Sequence, residues 1–523
     1  MGTYFNPGNE SFTKDTNNRI YIDKTGLLEF MNSRIGSSEN CLAISHARRF
    51  GKSQAAGMLD AYYSRGCDSK ALFAGRKISE STDFVTYLNQ YNVIHLDMSS
   101  IAEHCTRGLI EEILFRLKKD FREAFGDKID LDQEIELILG DIYKVTGISL
   151  IIVIDEWDCV IRNQSDDPES VHKYLQFLHS LFKSEEAKRF LALGYITGIL
   201  PVKKIKDESA LNNFIEYTMV ESDELTPFFG FTEDEVRSLC LQYGMEFESI
   251  RSWYDGYTIS GMSMYNPNSV CLAMNKKRLD SFWKNTSAFE TINDYIMLNY
   301  DGLKDAVLTM LSGGKASVDV NSFQNDLSVI DSKDDALTAL IHLGYLAYDA
   351  GTKKAYIPNY EVSAAFEQAI KKGKWKELAE ILSQCDEMLE ATLAMNVEKV
   401  AEVLEQSHDM HTSILKYNDE NALACAITMA YFTARAYYDI VREMPAGKGF
   451  ADITFLPRKE AGTKPALIVE LKWDQDAETA IRQIKEKNYT GVLADYEEEI
   501  LLVGVNYDRR SKKHTCLIER FCR

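Results

Sequence analysis

The chain has 523 residues, of which 45% are hydrophobic and 27% charged, with a formal net charge of −21 at pH 7. That length suits roughly three to four domains, each with its own core. No apolar run approaches the roughly 18 residues of a membrane helix, and Met1-Gly-Thr-Tyr-Phe-Asn-Pro7 lacks the basic and apolar segments of a secretory leader, so no membrane association and a cytosolic location are expected.

Ten cysteines are spread singly with no CxxC pair, which fits reduced thiols rather than a disulfide framework. His514, Cys516 and Cys522 lie close together but lack the paired spacing of a zinc site. The acid excess is uneven. Residues 416 to 523 hold 17 Lys and Arg and 17 Asp and Glu, so the preceding 415 residues, with 42 and 63, carry all of it. Only the C-terminal part suits a phosphate backbone, with Arg509, Arg510, Lys512 and Lys513 as its basic cluster. A solvated basic turn is the competing reading of that cluster.

In chain order, the apolar runs Cys41–Ser45, Asn92–Asp97, Ser149–Asp155 and Phe190–Gly198 read as buried parallel strands. Helix-length segments such as Arg107–Phe125 and Ser170–Lys183 separate them, which is a doubly wound α/β layout. The first strand runs into Gly51-Lys52-Ser53. A phosphate loop presents backbone N–H groups at a helix N-terminus, a lysine for the phosphate oxygens and a hydroxyl for magnesium, and these three residues supply the last elements. The first glycine of GxxxxGK[ST] is missing, and His46 occupies its place. Four apolar residues then lead into Asp155-Glu156, where Asp155 would hold the magnesium-bound water and Glu156 would polarise the attacking water. Thr197 ends a later strand, as a polar sensor of the γ-phosphate or as a simple strand-ending residue.

After Thr226-Pro227 helices dominate. Thr232 and Glu235 form a capping box, and Asp335–Tyr348, Lys354–Pro358 and Glu361–Lys371 read as helix, strand and helix. The expected divisions are 1–225 for an ATPase core, 226–372 for a helical lid with a winged-helix option, 373–415 for a helical connector and 416–523 for the last domain. The connector holds helices Trp375–Cys385 and Asn396–Gln406. The last domain reads as a helix Glu420–Tyr438, strands around Asp452 and Glu470, a helix Asp476–Lys487 and a strand Ile500–Asn506.

That domain carries its own chemistry. Asp452 stands in a glycine-flanked strand, and Glu470 and Lys472 end a Leu-Ile-Val run. Two carboxylates on adjacent strands could share one or two magnesium ions, and a lysine two residues after the second projects from the same face to position or activate water.

Five ordered motifs give the chain a family resemblance: Tyr21-Ile-Asp-Lys-Thr25, Arg48-Arg-Phe-Gly-Lys-Ser53, Ile154-Asp-Glu-Trp-Asp158, Trp253-Tyr-Asp-Gly-Tyr257 and Tyr265-Asn-Pro267. With them it resembles the bacterial AAA-ATPase-like proteins fused to a PD-(D/E)XK nuclease domain. The resemblance implies a P-loop-type AAA-like α/β core with a helical or winged-helix lid, followed by a restriction-endonuclease-like α/β domain. It implies ATP and Mg2+, or Mn2+, as cofactors, with Arg48, Arg49, Gly51, Lys52, Ser53, Asp155 and Thr197 at the nucleotide and Ser53 and Asp155 at its metal. In the nuclease, Asp452 and Glu470 would hold metal, with Lys472, Gln483 and a third carboxylate, Glu420 or alternatively Glu443, completing the site. Lys485 is a further candidate beside Gln483.

Family members often read Arg-Pro-Arg-Arg where this chain has His46-Ala47-Arg48-Arg49, which leaves the loop's shape open. Leu211-Asn212-Asn213 matches a further signature whose role the residues do not reveal, and Trp253, Tyr254 and Tyr257 are either ligand-stacking or turn-packing aromatics. The expected function is an ATP-controlled nuclease acting on nucleic acid, DNA before RNA, with defence against foreign DNA as a role this architecture fits and homo-oligomerisation left open. A nucleotide-operated binding switch and a protein-remodelling ATPase are the alternatives.

Overall fold

The computed structural model describes all residues except 1, 106–107, 164–166, 203–210, 284–291, 296–297, 299, 312, 322, 324–329, 373–375, 412–426, 428–429, 447–448, 459–461, 491–498 and 522–523. Its residues pack as two compact units, Met1–Asp280 with Val318–Pro358, and Ser281–Ser317 with Asn359–Arg523.

The first unit is built on five parallel strands: β1 (Cys41–Ser45), β2 (Asn92–Asp97), β3 (Leu150–Asp155), β4 (Leu191–Gly198) and β5 (Ile215–Thr218), in the order β2-β3-β4-β1-β5. All six residues of β3 are buried, because a strand covered on both faces has no use for polar alternation. Successive side chains divide between two cores. Ile152 and Ile154 pack with the helices α2 (Leu109–Phe125), α3 (Ile135–Thr146) and α4 (Pro168–Phe182), while Ile151 and Val153 face α1 (Lys52–Tyr63). The expected strands stand within a residue of the observed ones. Helix α4 starts earlier than Ser170 because Asp167 caps it and Pro168 opens its first turn.

The capping box at Thr232 and Glu235 opens α5 (Glu233–Tyr243), as expected. Glu235 also takes Lys24 Nζ at 2.6 Å, and the same ammonium donates to Pro227 O at 2.6 Å, so the Tyr21–Thr25 motif is bolted to the start of α5. Four short strands here were not expected. Phe231–Thr232, Tyr257–Ile259 and Met262–Tyr265 form a small antiparallel sheet, and the helix expected over Asp335–Tyr348 stops at His342. Gly344, at φ +84°, turns the chain, and Ala347–Asp349 then pairs with Lys354–Tyr356.

The second unit carries a five-stranded mixed sheet of β6 (Tyr438–Ala446), β7 (Gly449–Pro457), β8 (Ala466–Trp473), β9 (Ile500–Asp508) and β10 (Lys513–Phe521), in that order. Only β8 and β9 are parallel, and the crossover that a parallel pair requires is α7 (Ala477–Glu486). Ile468 and Leu502 pack on Ile481 and Ile484 of α7, and the opposite face, with Val469 and Val503, covers Met388, Val400 and Val403 of the helices Lys376–Leu393 and Val397–His411. Both helices exceed their expected ranges. Of the helix expected over Glu420–Tyr438, residues 420–426 and 428–429 lie outside the described ones, and its end is replaced by a 3-10 turn at Phe432–Ala436 and by strand β6. Pro445 cannot sit inside a helix but fits this edge strand. The other edge, β10, was also missed because its exposed charged residues break any apolar run.

One buried ion pair ties α1 to β2. His95 Nδ1 lies 2.5 Å from Asp60 Oδ2, and the His95 side chain is 19% exposed. Burial alone would lower the imidazole pKa, but the charge and hydrogen bond of Asp60, with Asp155 and Asp97 behind them, raise it from 6.5 to about 9. A group whose folded pKa is raised contributes its full stability below the unfolded value and loses it as pH rises through the folded one. His95→Gln should therefore lower the melting temperature by several degrees at pH 6, with the difference from wild type shrinking between about pH 6.5 and 9. Thermal melts across that range check the window.

Candidate active sites

Gly51 carries the chain out of the loop after β1 at φ +90°, a conformation that favours glycine, and α1 begins at Lys52. His46, in the place of the missing glycine, is fully buried with Nε2 2.5 Å from Ser222 Oγ. Burial, and then the Lys52 charge, push its pKa down to about 3, so the ring is neutral and acts as a peg rather than a cation. Lys52 is buried too, and Nζ donates to His46 O at 2.7 Å and Ala47 O at 2.8 Å. Burial lowers its pKa to about 8 against the opposing pull of Asp155, Asp158 and Glu156. Beside the loop opens a cavity of about 780 Å³ whose wall includes Arg48, Arg49, Lys52, Ser53 and Glu156. Arg19 joins them, a cation that no motif spacing singled out.

At the end of β3, buried Asp155 Oδ1 accepts from Glu156 N at 3.1 Å and from the Thr197 hydroxyl. Thr197 is fully buried on β4, so its hydroxyl serves Asp155 rather than the cavity. The second aspartate of the motif, Asp158, accepts from Ile199 N at 3.2 Å, Leu200 N at 3.0 Å and Arg162 Nε at 3.0 Å, which locks the ends of β3 and β4 together. A Cβ on Gly198 would stand 2.6 Å from Trp157 Nε1, so the strands approach there only because the residue is glycine.

The remaining motifs become legible as supports. Asn266 caps α6 (Pro267–Lys276), accepting from Asn268 N at 3.0 Å, and donates to Arg48 O at 3.4 Å, so Tyr265-Asn-Pro267 braces the phosphate loop. Tyr254 and Tyr257 are buried and donate to Asp280 O and Gly344 O at 3.0 and 2.6 Å. Gly256, at φ +107°, would place a Cβ 2.0 Å from Pro358 O, which favours the turn-packing account of these aromatics. Asn213 donates to Phe182 O at 3.1 Å, an anchoring role for Leu211-Asn-Asn213.

In the second unit β7 pairs with β8 at Ile453–Phe455. At Asp452 the side chain takes over from the ladder, Oδ2 accepting from Leu471 N at 2.7 Å, and the strands part. Glu470, beside that parting on β8, is 1% exposed. Its Oε1 accepts from Lys472 Nζ at 3.1 Å and from Gln483 Nε2 on α7. Its Oε2 is buried and has no hydrogen-bond partner among the described residues. Burial, and then the Asp452 charge, raise its pKa to about 7 in spite of Lys472.

Asp452, Glu470, Lys472 and Gln483 thus come together. Lys485 does not, since it pairs with Glu519. Glu420 lies outside the described residues, as does the side chain of Glu443, whose backbone stands on β6 between the pairs Arg442–Ile453 and Met444–Ala451. Among the described residues no three of His, Cys, Asp and Glu cluster to hold a metal, the tail group of His514 and Cys516 included. A buried carboxylate oxygen without a donor, beside a second carboxylate, fits a hard cation that retains several waters, as Mg2+ does.

Residues 8–206 match the family model described as a predicted AAA-ATPase, and residues 418–515 match that of the PD-(D/E)XK nuclease superfamily. The chain therefore joins an AAA-ATPase-like domain to a nuclease-superfamily domain, and is an enzyme of the hydrolase class. A curated relative, the uncharacterized protein in the vnfD 5′ region of Azotobacter chroococcum mcd 1, is 23% identical over 529 residues, covering 97% of this chain and 96% of its own. Among solved structures, the Aeropyrum pernix ORC2 protein in its ADPNP-ADP complexes matches at 11% identity and a TM-score of 0.31, over 70% of this chain and 97% of its own. The replication initiator DnaA bound to AMPPCP and single-stranded DNA matches at 11% and 0.28, over 70% and 94%. No helix among the described residues is long and apolar enough to cross a membrane.

A carboxyl whose folded pKa is raised lowers stability as pH climbs from its unfolded value, near 4.5, through about 7. Above that pH a divalent cation held by the pair would relieve the cost. Mg2+ should raise the melting temperature of the second unit more at pH 8 than at pH 5.5, and Asp452→Ala should remove the effect, as read by differential scanning fluorimetry.

Proposed function

We propose that the chain is an ATP-binding and ATP-hydrolysing protein whose nucleotide state controls a Mg2+-dependent nuclease acting on nucleic acid, DNA in the first instance. The observation that carries the nuclease half is the Glu470 carboxylate, buried beside Asp452 with one oxygen bare and the other held by Lys472 and Gln483. Bound Mg2+ or Mn2+ would lower the pKa of a coordinated water and neutralise the charge developing on the phosphate. Asp452 and Glu470 would hold the ion. Lys472, on the same strand face, orients the attacking water, while Gln483 fixes the Glu470 carboxylate against rotation. Glu420 remains the candidate third carboxylate, with Glu443 as its alternative.

In the ATPase half Lys52 would exchange its two loop carbonyls for phosphate oxygens, and Arg48, Arg49 and Gly51 would complete the cradle. Ser53 and Asp155 would hold the nucleotide's magnesium, and Glu156 would polarise water. Thr197 acts through Asp155, whose carboxylate it orients. Residues 1–225 would form the core, 226–372 the lid, 373–415 the connector and 416–523 the nuclease. A cytoplasmic protein acting against foreign DNA suits this combination.

The test is cleavage of plasmid and single-stranded DNA with Mg2+ or Mn2+, with and without ATP. Wild type should cut, and Asp452→Ala and Lys472→Ala should lose at least 100-fold in rate. Metal-dependent cutting that survives both substitutions overturns the assignment of the site to Asp452 and Lys472, and no cutting by wild type under any condition overturns the nuclease assignment in favour of a binding switch. Lys52→Ala should abolish ATP turnover, and its effect on DNA cutting gives the sign of the coupling. ATP turnover stimulated by protein and indifferent to DNA would instead favour a protein-remodelling ATPase.

A further inference from the structure

Strand register places three features at one end of the C-terminal sheet. Lys472 pairs with Asn506 of β9, and two residues beyond, at Asp508, the chain enters the turn that carries Arg509, Arg510, Lys512 and Lys513. On the other flank β7 runs antiparallel to β8, so Phe450, two residues before Asp452, lies toward the Lys472 end of β8. The basic turn beyond β9 and Phe450 on β7 thus flank the same end of the sheet, with β8 and its Glu470 and Lys472 between them.

Each flank has a property that the catalytic residues leave unexplained. Phe450 is 61% exposed, although its neighbours Ala451 and Ile453 are buried. Alternation puts it on the same face of β7 as Asp452, about 7 Å along the strand. The basic turn is built to hold its cations outward. Asp508 Oδ1 accepts from Arg510 N at 2.8 Å and Ser511 N at 3.4 Å, and Asp474 Oδ1 accepts from Arg509 N at 2.8 Å. Both carboxylates are thus occupied with backbone. Among the described residues Arg509 reaches Asp474 only at 3.9 Å, and Arg510, Lys512 and Lys513 make no ion pair.

We propose that this edge is a track for a single, unpaired nucleic-acid strand, gripped through its phosphates by Arg509, Arg510, Lys512 and Lys513 and positioned by stacking of one base on Phe450. The proposal rests on the nuclease assignment and adds the class of substrate. Phosphate contacts from mobile cations carry affinity without sequence, and a base can stack on an exposed ring only where it is free of a duplex partner. A double-stranded substrate would present its bases to each other and leave Phe450 idle. The preceding 415 residues carry the whole acid excess of the chain, which disfavours a polyanion there on charge alone.

The two flanks predict different signatures, measured by fluorescence anisotropy of labelled oligothymidine on the full-length protein, with Ca2+ in place of Mg2+, over a salt series. Phe450→Ala should weaken binding by about 5- to 100-fold with an unchanged salt dependence, and Phe450→Trp should restore it with quenched tryptophan fluorescence. The quadruple exchange of Arg509, Arg510, Lys512 and Lys513 to Gln should flatten the slope of log K against log salt by up to about 3. Should that variant melt early, the pairs R509Q/R510Q and K512Q/K513Q should each flatten it by about half as much. Wild-type affinity and slope in all these variants, or tighter binding of duplex than of single strand, overturn the track while leaving the nuclease intact. Absence of any binding and any cutting by wild type overturns the nuclease assignment and the track with it.

Discussion

A carboxylate buried at the end of a strand must be met by donors or by a cation, and both halves of this protein are arranged around that constraint. At Asp155 the Thr197 hydroxyl and the Glu156 amide both donate to Oδ1, and the charge of Lys52 stands close by. Glu470 likewise has its donors on one oxygen. Lys472 and Gln483 hold one oxygen, and the other is left bare in a setting that holds the pKa near neutrality. Leaving a buried polar atom unpaired costs on the order of 1–3 kcal/mol, which a fold retains where the atom has work to do.

The supporting architecture follows from keeping such groups in place. Buried charge is stable only in a rigid surround, and the surround of Asp155 is stitched from backbone amides. Asp158 binds two of them at the end of β4, and Gly198 lets β3 and β4 come close enough for it to reach. The phosphate loop is held in the same manner, from below by the neutral His46 peg at Ser222 and from above by Asn266 at the Arg48 carbonyl. Lys52 meanwhile rests on the loop's own carbonyls, the nearest acceptors a buried ammonium can find. The loop therefore reaches its shape without its customary first glycine, because buried contacts on both sides replace the freedom that glycine would have provided.

Several sequence motifs proved to be fastenings rather than ligands. Lys24 spans to Glu235, Tyr254 and Tyr257 reach backbone carbonyls, and Gly256 makes room for Pro358. Their chemistry looks like binding chemistry in one dimension, since a buried tyrosine and a stacking tyrosine have the same letters. What separates them is the partner, which lies about 25 to 210 residues away along the chain.

The sequence by itself determined what depends on local order: the parallel strands with their unbroken apolar runs, the capping box at Thr232, the glycine-lysine entry to α1, and the presence of Asp452, Glu470 and Lys472 on neighbouring strands, although the first two stand inside those strands rather than at their ends. Periodicity and turn chemistry act over a few residues and so are legible there. It could not reveal the edge strands β6 and β10, whose half-exposed, charge-bearing residues give no apolar signal, nor the end of the helix at His342, where Gly344 outweighed a continuing apolar pattern. Nor could it decide which candidates share a site. Gln483 and Lys485 are two residues apart on α7, and the 100° step of a helix sends one to Glu470 and the other to Glu519. Tertiary structure alone made that choice, because the packing of α7 on β8 and β9 fixes its rotation, and rotation decides which side chain meets the buried carboxylate.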